Sequence, residues 1–68
     1  MKKGTIYIDM WQDVFVFLGS TKRNEFLCYC LRGNGKSVWK TGRFEKVCAS
    51  KRGRLADWIK QNKPEEIK

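Results

Sequence analysis

Hydrophobic and polar residues alternate with a period of two through most of the first 48 positions, then switch to a helical period near the C-terminus. Thr5–Trp11 (TIYIDMW) alternates with β-branched and aromatic residues and predicts a first strand, with Ile6, Ile8 and Met10 on one face and Tyr7, Asp9 and Trp11 on the other. Gln12-Asp13 is polar and marks a turn or a bulge. Val14–Leu18 (VFVFL) is apolar on both faces, the pattern of a strand buried on two sides. Gly19–Asn24 has loop composition, with Lys22 and Arg23 at its tip. Phe26–Leu31 predicts a third strand and Ser37–Thr41 a fourth, joined at Asn34-Gly35, a dipeptide that favours tight hairpins because both positions accept positive φ. A two-residue loop there sets Leu31 opposite Val38, Cys30 opposite Trp39 and Tyr29 opposite Lys40. Both faces of that hairpin carry apolar groups, so the other strands should cover one and a helix the other.

Thr41-Gly42 breaks the pattern, and Arg43–Cys48 predicts a fifth strand anchored by Phe44. Ser50–Arg54 is a basic linker. Leu55, Trp58 and Ile59 then recur at helical spacing, which predicts a helix over about 54–62 that stops at Pro64. Residues 63–68 are expected to fray. The fold class that follows is mainly β (α+β), five antiparallel strands with one short C-terminal helix, in a single domain over 1–68.

The strand starting near Gly4, the two long strands around the Gly19–Asn24 loop, the Asn34-Gly35 hairpin and Trp39 followed by Phe44 together resemble the SH3-like small barrels, including KOW and Tudor-type modules. The resemblance is one of strand pattern over about residues 4–48. It implies a partly open five-stranded barrel, to which the helix is an addition. In size and composition the chain also resembles small accessory proteins of bacteriophages.

Composition narrows the picture. Sixty-eight residues limit the chain to a small core, and nine aromatic rings can build one from few residues. Three cysteines (Cys28, Cys30 and Cys48) without any histidine do not suit a disulfide-dense secreted scaffold. No apolar run approaches the ~20 residues of a membrane span, and no signal-like apolar segment follows Lys2-Lys3. The expectation is a cytoplasmic protein with no membrane partner.

Charge changes the picture most. Residues 32–54 hold eight basic side chains and one acid, so they carry +7 of the net +8. Arg32, Lys36, Lys40, Arg43, Lys46, Lys51, Arg52 and Arg54 are therefore the candidate binding set for nucleic acid, DNA or RNA, whose phosphates they would neutralise. Trp39 and Trp11 join them as candidate stacking rings. The same charge suits an acidic surface of a host protein, with Trp11 or Trp39 at the centre of the contact. Lysines on strand faces also serve simply to block sheet-to-sheet aggregation.

Catalysis finds little support. Without histidine, Ser/His and Cys/His arrangements are excluded within one subunit. Three cysteines at this spacing lack the fourth ligand of a closed zinc site and read as small core filler, so no metal or cofactor is expected. Gly33-Asn34-Gly35-Lys36-Ser37 has neither the leading glycine nor the strand-to-helix setting of a phosphate loop. A non-enzymatic binding module is the expectation.

Overall fold

The computed structural model of the chain describes residues 1–23, 25–48 and 55–68. Its elements are β1 (Ile6–Ile8), β2 (Val14–Ser20), β3 (Glu25–Arg32), β4 (Phe44–Cys48), α1 (Leu55–Asn62) and β5 (Glu65–Ile67). The five strands form one antiparallel sheet in the order β4-β3-β2-β1-β5. The first four make a meander, and the chain then crosses back through α1 to place β5 beside β1. The sheet does not close, so β4 and β5 are its edges.

Alternation along the strands sorts side chains between two faces. One face collects Tyr7, Phe15, Phe17, Phe26, Cys28 and Cys30, the buried apolar core. Trp58 and Leu55 of α1, together with Trp39, Val47 and Met1, pack against it. Trp58 is the main anchor, meeting Phe26 edge-on at 4.6 Å and Tyr7 at 6.1 Å between ring centroids. An eight-residue helix is marginal alone, so these contacts hold it. Lys63 ends it at φ 44°, donating its N–H to the Ile59 carbonyl at 2.8 Å, the usual left-handed way to finish a helix.

Several expectations are corrected. The first strand spans 6–8 and not 5–11, because Asp9–Asp13 folds into a turn. β2 is fully buried on one side only: Phe15 and Phe17 are inside, while Val14, Val16 and Leu18 stay half-exposed. Ser37–Thr41 is not a strand, and Asn34-Gly35 is not a two-residue hairpin. β3 pairs instead with β4, so Tyr29 faces Phe44 and Cys28 faces Glu45. The apolar hairpin between two covers is therefore absent. Residues 65–67 of the tail form β5 and do not fray. Cys48 is exposed, so only Cys28 and Cys30 fill the core.

Candidate nucleic-acid interface

The connection over 33–43 positions Lys36, Trp39, Lys40 and Arg43 of the candidate set, and a polar knot explains its shape. Asp13, fully buried, accepts hydrogen bonds on Oδ1 from the Asn34 N–H at 2.9 Å and the Ser37 hydroxyl at 2.7 Å. Asn34 turns its Oδ1 back to the N–H groups of Lys36 and Ser37, at 2.6 and 2.7 Å, and its Nδ2 donates to the Trp11 carbonyl. Asparagine thus shapes a local turn, as expected of it, but the turn is spent on tying two loops together. Gly33 fits against the Trp39 carbonyl so closely that a Cβ would stand 2.2 Å from its oxygen. The second loop is held by Asp9, whose Oδ1 accepts from the N–H groups of Trp11 at 3.0 Å and Asp13 at 2.9 Å. Burial raises the Asp9 carboxyl above the ordinary carboxylate range, and the neighbouring Asp13 charge adds to that.

From this frame, Lys36 and Lys40 project from the connection, Arg43 immediately precedes β4, Lys46 lies within β4 opposite Leu27, and Arg32 ends β3 opposite Val14. All five side chains are exposed. They gather along the β4 edge of the sheet and the connection leading to it. Glu45, the one acid of this stretch, is half-buried opposite Cys28 on the covered face. Lys51, Arg52 and Arg54 lie outside the described residues.

Among the described residues no helix covers the second face of the sheet. Paired positions Ile67, Ile6, Val16, Tyr29 and Phe44 run across it as one apolar row spanning all five strands. Phe44 is 68% exposed, and the Tyr29 ring meets it at 4.9 Å and 64°. Lys46 shares this face one step along β4, and Arg32 stands near it on the other side of the row. Sequence reasoning passed over Tyr29 and Phe44 as a pair because the Asn-Gly signal set the register. Alternation within Arg43–Cys48 already carried the signal: pairing that run with Glu25–Tyr29 brings the two rings together.

Trp11 and Trp39 lie elsewhere. With Tyr7, Phe15, Trp58 and Asp9 they wall a cavity of about 180 Å³ between the sheet and α1. Trp39 is half-buried and packs edge-on against Phe15 at 5.8 Å, while Trp11 is 53% exposed at the rim. The tryptophans and the Tyr29–Phe44 row thus occupy opposite sides of the sheet. The thiols are similarly divided. Cys28 and Cys30 are completely buried on the core face, and Cys48 is exposed on the other. Burial pushes the Cys28 thiol up to about 11 and raises that of Cys30 as well, so both stay protonated at neutral pH. Among the described residues no group of three or more acidic or thiol side chains could hold a metal ion, and no helix is long and apolar enough to cross a membrane.

No protein-family model matches the sequence, and no curated protein and no solved structure matches it either.

Proposed function

We propose that the chain is a non-enzymatic nucleic-acid-binding module that works through its basic edge. The observation that carries this reading is the concentration of charge. Five exposed cations (Arg32, Lys36, Lys40, Arg43 and Lys46) line the β4 edge and its approach, inside the segment that holds +7 of the net +8. A polyanion with evenly spaced phosphates matches such a distribution, and counterion release would drive the association. Lys51, Arg52 and Arg54 belong to the same set by sequence. The return of β5 to β1 supports the SH3-like reading as well, since pairing β4 with β5 is the step that would turn this open sheet into a barrel.

A second reading, an acidic surface of a partner protein, is favoured by one feature: the apolar row beside the cations, with Phe44 as an exposed anchor. Affinity capture from lysate with and without nuclease separates the two. Nucleic acid co-purifying with the tagged chain, and loss of all partners after nuclease, is the expected result. A protein partner retained after nuclease treatment would move the assignment to the second reading.

A further inference from the structure

We infer, resting on that reading, that the ligand is a single strand, whose bases stack on Phe44 beside Tyr29 while Arg32 and Lys46 take its phosphates. Phe44 is the most exposed aromatic ring on an otherwise charged edge, at 68% accessibility, and it is not loose. Tyr29 meets it edge-on at 4.9 Å from the neighbouring strand, a contact that narrows the ring's freedom and leaves most of its surface to solvent. The ring sits flush in a sheet, not on a protruding helix or ribbon that could enter a groove. In a duplex the base faces are already stacked on one another and offer nothing to such a platform. A single strand offers them freely, and stacking on aromatic rings is tolerant of sequence because every base has a π-face.

The surrounding charge fits the same ligand. Lys46 lies two residues along β4 from Phe44, about 7 Å at the usual rise of a strand. Arg32 flanks the ring on the other side of the row, so cations stand on both sides of the platform, while Arg43, paired with Cys30, belongs to the covered side of β4. Of the acids that share this face, Glu65 is in β5 at the opposite edge, and Glu25, opposite Cys48, lies four residues along β3 from Tyr29 and diagonal to Lys46. A second copy of the chain suits the face less well. A two-fold pairing centred on Phe44 would bring Arg32 and Lys46 of each copy towards the same cations of the other.

The test is fluorescence anisotropy at fixed, moderate salt. A labelled thymidine single strand of about 12 nucleotides, within the site sizes typical of such binders, is compared with a duplex of the same length. The single strand should bind at least about tenfold more tightly. Phe44→Ala should weaken single-strand binding by roughly 5- to 100-fold, the worth of about one stacked base, and leave duplex binding unchanged. Phe44→Trp should retain affinity, whereas Phe44→Leu, apolar but without a π-face, should fall with Phe44→Ala. Phe44 is exposed, so these variants keep the core. Equal affinity for both forms with a neutral Phe44→Ala would overturn the inference and leave the basic-edge reading standing. No binding to either form at low salt would remove that reading itself. A doubled mass in light scattering that Phe44→Ala abolishes would assign the face to a second copy and overturn the inference.

Discussion

At the scale of single residues, the Asp9–Asp13 turn decides where the 33–43 connection can go. Asp13 is fully buried and takes two donors from the 33–43 connection, and Gly33 lets the Trp39 carbonyl come close enough to complete that path. Gly33→Ala should therefore cost about 1–3 kcal/mol, the usual range for overpacking, and chemical denaturation would show it as a lower midpoint. The nearby Asp9 carries a sign that can be checked. Its folded-state carboxyl is raised by burial, so the folded chain holds that proton to higher pH than the unfolded chain does. Stability contributed in this way is present below the unfolded carboxylate value and is lost as pH rises through the folded one. Asp9→Asn keeps an oxygen acceptor for the Trp11 and Asp13 N–H groups but removes the titration, so the melting temperature of this variant should lose that decline. The cysteines offer a plainer check. One thiol, Cys48, should react promptly with a thiol reagent in the native protein, and Cys28 and Cys30 only as the chain unfolds.

At the scale of elements, what was legible in the sequence depended on whether local pattern or distant partners set the outcome. β2, β3, β4 and α1 follow their periodicities nearly to the residue, because alternation and helical spacing are local signals. The hairpin failed for a physical reason. Asn34 does make a turn, and Gly35 has the positive φ that such a turn uses, but the Asn34 backbone N–H and the Ser37 hydroxyl go to Asp13, 21 and 24 residues upstream. No local pattern reveals that competition. β5 escaped detection likewise: Glu65-Glu66-Ile67 has weak strand propensity, and only the free edge of β1 gives it a partner. α1 was legible as a helix, though its hold on the sheet rests on one ring. Trp58→Ala should cost about 3 kcal/mol, against a total of about 3–10 kcal/mol for a chain of this size. Circular dichroism should show loss of helix before loss of sheet.

At the scale of the whole molecule, charge was legible and its arrangement was not. Counting residues located the excess in 32–54, but only the β3–β4 register places Lys46 and Arg32 on either side of the Tyr29–Phe44 row, and only the core packing turns Trp39 and Trp11 away to the cavity under α1. Trp39 and Trp58 pack against the core, Trp11 stays 53% exposed, and two smaller rings, Tyr29 and Phe44, are left on the other face. The sheet is consequently two-sided: one face is closed by a helix around aromatic packing, and the other, among the described residues, is uncovered, apolar across its width and basic along one edge. The most direct test of the proposed function is the salt dependence of nucleic-acid binding. For about four to six phosphate contacts, log K should fall with log salt at a slope of roughly −4 to −5 on duplex DNA, at about −0.9 per contact. Replacing Arg32 and Lys46 together with Gln should make that slope shallower by about 2. Affinity that does not change with salt, or no binding at the lowest salt, would contradict it.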